Sequence, residues 1–227
     1  WMHNNMVTVD GTRMGKSLGN FITIKQLLRG EHPRLERAYA PLAVRFFILS
    51  SHYRSPLDFS TAGLDAASRG LARLHEAVRR VRQRLLQAPP GPPEPLVQEQ
   101  LAAHRERFLA AMDDDLNTPV ALSVLFDVTR ESNTRAESGD TTQATLAAYD
   151  SFYRELGDGV LGLIPDDLGG DDTSGLAEAL IRILIELRAE ARAQKDWGRA
   201  DDLRRRLAEA GVVLEDGPEG TRWRLQR

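Results

Sequence analysis

The sequence predicts a mainly α protein: a short irregular start, an antiparallel helical bundle, and a small α+β unit ending in a β-hairpin. Three observations predict this. Apolar residues recur at steps of three and four, as at Leu71, Leu74, Val78, Val81 and Leu85, which puts them on one helix face. Five prolines crowd into Pro89–Pro95, where they exclude helix and favour a stiff, extended connector. Val212–Asp216 and Thr221–Leu225 flank Gly-Pro-Glu-Gly, a hairpin signal with a four-residue turn.

Residues 1–20 read as irregular or short-strand chain ending in a glycine-flanked loop. Phe21, Ile24, Leu27 and Leu28 are spaced for a short helix. Leu42, Phe46, Phe47 and Leu49 mark another within Tyr39–Ser51. His52–Ser60, which contains Pro56, breaks the pattern. The seam at Leu71–Leu85 then predicts a helix over Gly70–Leu86. Past the proline connector, Val97, Leu101, Phe108 and Met112 mark a second bundle helix. Thr118 is placed as N-cap and Pro119 at the first helical position of a third, which carries Leu122, Leu125 and Phe126. Leu146, Tyr149, Phe152 and Leu156 mark the fourth. Four such helices with short connections make a small antiparallel bundle.

Gly157–Gly175 is rich in Gly and Asp and reads as a linker. Ser174 is placed to cap the next helix, with a seam at Leu176, Leu180, Ile183, Leu184, Leu187 and Ala191. A last helix, Trp197–Ala210, stops at Gly211. The expected divisions are 1–60, 61–160 and 174–227, with 161–173 as the linker.

Composition narrows the function classes. The net charge is -3 over 227 residues, so any RNA contact must come from local patches. The chain has no cysteine, which excludes disulfides, thiolate catalysis and thiolate zinc sites. No apolar run approaches the ~18 residues that span a bilayer, and no signal-peptide pattern opens the chain. A cytoplasmic protein with no membrane partner is expected. Starting at Trp1 fits a processed product, a trimmed chain or a sequence given without its first residues. His32 and Glu36 have i, i+4 spacing, but Pro33 between them and the lack of further ligands speak against a metal site.

The loop at Arg13, Met14, Gly15, Lys16 and Ser17 carries chemistry. Lys is a compact charge on a flexible stem, suited to a triphosphate whose charge moves. A neighbouring serine can donate to a phosphate oxygen. Glycines such as Gly15 and Gly19 are expected to allow positive φ and close phosphate approach.

With Leu18-Gly19-Asn20 behind it, this loop resembles the Lys-Met-Ser-Lys-Ser signature of class I aminoacyl-tRNA synthetases, and most of all that of cysteinyl-tRNA synthetases. Arg13 stands for the first Lys and Gly15 for the first Ser. The resemblance continues through Arg45–Ser60, similar to the family's stem-contact region, and Asp113–Phe126, similar to its helical bundle. Arg192–Asp201 and Gly211–Trp223 are similar to its anticodon-binding domain. The resemblance implies that Lys16 and Ser17 contact ATP in aminoacyl-adenylate formation. It also implies that Arg192, Trp197, Asp201 and Asp216 read an anticodon, with the tRNA for cysteine as partner. Chemistry agrees, since unpaired bases are read by stacking on aromatics and by hydrogen bonds to their edges. Trp223 reads better as a packing residue. Arg69, Arg73, Arg79, Arg80, Arg82 and Arg84, opposed only by Glu76, leave two readings open: phosphate contact or a solvated face.

The family also uses ATP, magnesium and zinc, with a His-x-Gly-His signature and Cys, His and Glu zinc ligands. His3, His32, His52, His75 and His104 form no such pattern. The chain alone is therefore expected to bind no cofactor, to hold no complete catalytic set and not to aminoacylate. It is expected to be a fragment or truncated paralogue whose catalytic portion is separate. The alternative is a repurposed protein-interaction or structural module.

Overall fold

Three short strands open the fold. β1 (Val7–Val9) pairs antiparallel with β2 (Thr12–Arg13) and parallel with β3 (Leu57–Phe59), in the order β2-β1-β3. Asp10 and Gly11 turn β1 into β2 with φ of 50° and 75°, the two successive positive values of a tight hairpin. The Asp58 carboxylate accepts from the Thr8 hydroxyl (2.6 Å) and the Gly11 N–H (2.8 Å), fixing the turn to β3. The computed structural model describes the backbone of residues 1–168, 171–217 and 220–225, and the side chains of these except 171–179, 193, 215–217, 220, 222 and 224–225.

Two compact units result, residues 1–168 and 169–227. In the first, α1 (Ile24–Arg29) starts at a reciprocal cap between Thr23 and Gln26, which satisfies donors that the first helical turn leaves open. α2 (Pro41–Leu49) begins on proline and buries Val44, Phe46 and Phe47. The bundle helices are α3 (Thr61–Leu85), α4 (Pro95–Asp113), α5 (Thr118–Glu137) and α6 (Gln143–Phe152). Leu64, Leu74, Val78, Val97, Phe108, Leu125, Leu146 and Tyr149 are fully buried where they meet.

The predicted bundle is present, with its boundaries moved. α3 begins at Thr61, not Gly70, because the Ser60 side chain accepts from the Gly63 N–H (3.2 Å) and caps it there. α5 is capped by Asn117, not Thr118. Its side chain accepts from the Val120 N–H, while the Thr118 hydroxyl donates instead to the Leu49 carbonyl (2.8 Å). The proline connector is stitched to the start of α6, with Gln143 N–H donating to the Pro89 carbonyl and Thr142 hydroxyl to that of Pro92.

The stretch expected to be a linker is, in its first part, core. A single π-helical turn, Tyr153–Asp158, follows α6, and Leu161, Leu163, Ile164 and Leu168 are buried beyond it. Arg82 and Asp150 form a half-buried ion pair (2.7 Å), to which Arg154 (2.8 Å) adds.

In the second unit, α7 (Asp171–Ala193) and α8 (Trp197–Glu209) pack together, and β4 (Val212–Gly217) pairs antiparallel with β5 (Gly220–Leu225). α7 begins before Ser174, so that residue is no cap; its side chain, and that of Leu176, lie outside the described residues. The predicted α7 seam holds at Leu184 and Ala191 and fails at Leu180 and Ile183. Leu180 and Ile183 are exposed, while Ile181 is buried, with Leu184 and Ile185 packed beside it. Strand pairing reaches Gly217 and Gly220, both expected in the four-residue turn; residues 218 and 219 lie outside the described residues. Leu207, Val212 and Leu214 complete the small core, with Trp223 packed against it.

Candidate nucleic-acid interface

The three-residue connection between α7 and α8 makes a tight corner. Asp196 N–H donates to the Ala191 carbonyl (2.9 Å) and Lys195 N–H to that of Arg192 (3.1 Å). Lys195 adopts φ of 60° to close the turn. The Asp196 carboxylate then accepts from the Arg199 N–H (3.1 Å) as N-cap of α8. This is how local chemistry starts a helix at Trp197.

Arg192 lies in the last turn of α7 and is exposed, a favourable place for a cation at the negative end of a helix dipole. Trp197 is the first residue of α8 and is 58% exposed. That value excludes it from the core, where Trp223 packs instead. Asp201, also exposed, follows Trp197 by one helical turn and shares its face. The two-residue turn at Ala210–Gly211, with φ of 81° at Gly211, sends the chain into β4, which packs on α8. Asp216 is the fifth residue of β4; its backbone pairs with Thr221 and its side chain lies outside the described residues. The corner thus brings together an exposed aromatic, a cation and a carboxylate.

The other predicted site is in the first unit. Lys16–Leu18 form one tight helical turn closed by Gly19 at φ 65°. Arg13, Lys16 and Ser17 are exposed, and the Lys16 ammonium sits 5.6 Å from the Phe21 ring centroid. Met14 packs against the core. Gly15 departs from expectation: its φ is -163°, extended backbone that any residue adopts. Of the two glycines, only Gly19 needs its conformational freedom. Asn20 has a part that its place in the motif does not reveal. It is 3% exposed, its Oδ1 accepts from the Gly15 N–H (2.8 Å) and its Nδ2 donates to the Arg13 carbonyl (3.0 Å). It braces the loop from behind.

Several arginines of α3 have partners at or near the surface. Arg79 pairs with Glu76, Arg80 with Glu137 and Arg82 with Asp150, while Arg84 donates to the Gly139 carbonyl. Arg73 lies 5.6 Å from the Phe126 ring centroid. Arg79, Arg80 and Arg82 thus have carboxylate partners, which weighs against those three as phosphate contacts. In α8, Arg205 and Arg206 both pair with Asp202. Among the described residues no group of three or more His, Cys, Asp or Glu could hold a metal ion, and no helix is long and apolar enough to cross a membrane.

Comparison with known proteins fits this anatomy. Residues 1–69 match the family described as the tRNA synthetases class I (C) catalytic domain, residues 107–165 the DALR domain, and residues 173–224 the cysteinyl-tRNA ligase anticodon binding domain. The cysteine–tRNA ligases of Chlorobium chlorochromatii and Thermus thermophilus are each 42% identical over 100% of this chain and 45% of their own length. That of Thioalkalivibrio sulfidiphilus is 47% identical over 99% of this chain and 45% of its own. Among solved structures, LeuRS in its ternary complex with tRNA and LeuAMS, from Agrobacterium radiobacter K84, superposes with a TM-score of 0.58 at 19% identity. The match covers 73% of this chain and 21% of that one, and speaks for the fold alone. The chain belongs to the cysteinyl-tRNA synthetase family, as its C-terminal region with the anticodon-binding domain, and spans about 45% of the length of the curated relatives it matches.

Proposed function

We propose that these 227 residues are the tRNA-binding portion of an enzyme that attaches cysteine to its tRNA at the expense of ATP. The observation that carries this reading is Trp197: a largely exposed indole at a helix start, inside the segment matched by the anticodon binding family. In this reading Trp197 stacks on an unpaired base, Arg192 donates to base edges or phosphate, and Asp201 and Asp216 accept from base amines. Lys16 and Ser17 contact the triphosphate through the braced loop, with Arg13 adding charge. These 227 residues are not expected to activate cysteine by themselves; cysteine-dependent ATP–pyrophosphate exchange by the 227-residue chain would overturn that expectation.

The test is a titration with the tRNA for cysteine and with the same tRNA carrying a scrambled anticodon. Trp197→Ala is expected to weaken binding about 5- to 150-fold, the loss of one base stack worth ~1–3 kcal/mol. Affinity should also fall steeply with salt. Equal affinity for the scrambled tRNA would sink the anticodon reading. No tRNA binding even at low salt would favour a protein-interaction role.

A further inference from the structure

The corner between α4 and α5 holds two adjacent non-glycine residues in the left-handed region, Asp115 at φ 55° and Leu116 at φ 54°. Asp tolerates that conformation; Leu does so at a cost. Two contacts stand against the cost. Leu116 lines an apolar cavity of about 240 Å³ with Met2, Val7, Ile48, Leu49 and Leu57. Asp115 reaches the segment between α2 and β3, where Tyr53 hydroxyl donates to its Oδ1 (2.5 Å) and Arg54 grips both oxygens (2.5 and 3.2 Å). The Arg54 guanidinium and Tyr53 hydroxyl hold the Asp115 carboxyl below its ordinary range.

The contacts do not end there. The Tyr53 carbonyl accepts from the Asn5 N–H (2.9 Å) and the Arg54 carbonyl from the Asn5 side-chain amide (2.7 Å). Asn5 leads into β1 through Met6, whose carbonyl accepts from the Leu57 N–H (3.1 Å). The Val7 carbonyl accepts from the Met14 N–H (3.0 Å), at the point where β2 passes into the signature loop. An unbroken run of hydrogen bonds and covalent chain therefore joins Asp115 to Gly15.

We infer that Asp115 is a positioning residue for the Gly15–Gly19 loop, acting through Tyr53, Arg54 and Asn5. The bundle corner sets where β1 starts, and β1 sets where the loop sits. Its importance for catalysis rests on the loop being the phosphate contact proposed above; the coupling itself does not.

The experiment is amide hydrogen exchange, resolved by residue, on the whole 227-residue chain with neither RNA nor nucleotide present. Failure of the tRNA reading would therefore leave this result untouched. Asp115→Asn removes the charge but keeps a residue that accepts left-handed φ. It should speed exchange at Gly15, Leu18 and Gly19 about two- to fivefold, the scale of one partly exposed ion pair. Asn5→Ala breaks the run in the middle without touching the bundle and should give a similar change. The double variant should exceed the larger single effect by little, as expected of residues acting in series. Amides inside the bundle, such as Leu125 and Leu146, should keep their rates. Unchanged loop amides in either single variant, fully additive effects, or equal acceleration of loop and bundle would each overturn the inference.

Discussion

The signature loop presents Lys16 among its exposed side chains and the α7–α8 corner presents Trp197, and the two are held in opposite ways. The loop is fixed from inside: buried Asn20 bonds to backbone on both sides of Met14, and Met14 packs into the core. The corner is fixed by its own backbone and by the cap from Asp196, while the Trp197 ring stays largely in water. The difference suits the two proposed ligands. A triphosphate needs charge placed in advance of the reaction. An unpaired base needs only a flat aromatic surface, and stacking tolerates small displacements.

The largest expected effect separates the units by pH. All four tyrosines lie within residues 1–168. Burial pushes the Tyr153 hydroxyl up to about 12, despite bonds to Ser132 and Thr129, and burial beside Glu131 does the same for Tyr149. A group whose folded pKa is raised stabilises fully below its unfolded pKa, and that stability is lost as pH rises through the folded value. The first unit should therefore weaken between pH 10 and 12, by roughly 3 kcal/mol for Tyr153. Urea midpoints measured at stepped pH, with tyrosinate absorbance as the probe, test this. Tyr153→Phe should flatten the decline. Ordinary tyrosine titration in the folded chain would refute it.

Next in size is the brace. Asn20→Ala leaves the Gly15 N–H and the Arg13 carbonyl without their partner, a cost of about 2–3 kcal/mol for two part-buried hydrogen bonds. The matching change at the corner, Asp196→Ala, removes one cap on an exposed turn and should cost only about 1 kcal/mol. Denaturation midpoints of the two variants compare internal and surface support directly. Equal costs would erase the contrast.

Much of this was legible in the sequence, for reasons that also explain the rest. The four bundle helices show because their apolar residues repeat locally. Their starts are less legible, since Asn117 and Thr118 compete for one capping role and the Leu49 carbonyl decides between them. Leu161, Leu163 and Ile164 were hidden by the Gly and Asp around them, although their packing makes them core. The arginines of α3 looked unopposed because Glu137 and Asp150 lie far off in sequence. Of the proposed site residues, the exposed helix start at Trp197 and the exposed loop at Lys16 were legible, the first as an aromatic at a helix start and the second through its motif. The brace by Asn20 was not, because burial of one asparagine leaves no periodic trace.

The smallest effect concerns Gly15, where the loop departs from its family pattern. An added Cβ would meet the Leu18 side chain at 3.8 Å, ordinary van der Waals contact, and φ of -163° imposes no strain. Gly15→Ser also narrows the unfolded ensemble, which favours folding slightly. Stability should therefore stay within about 0.5 kcal/mol of the parent, or rise a little. Gly19→Ser is the internal control: at φ 65° it should cost about 1 kcal/mol or more. Thermal unfolding of the two variants decides the matter. If Gly15→Ser destabilises as much as Gly19→Ser, the extended backbone at Gly15 is wrong. If only Gly19→Ser does, the missing hydroxyl at position 15 is a difference in chemistry that the backbone does not require, and Lys16 keeps its place without it.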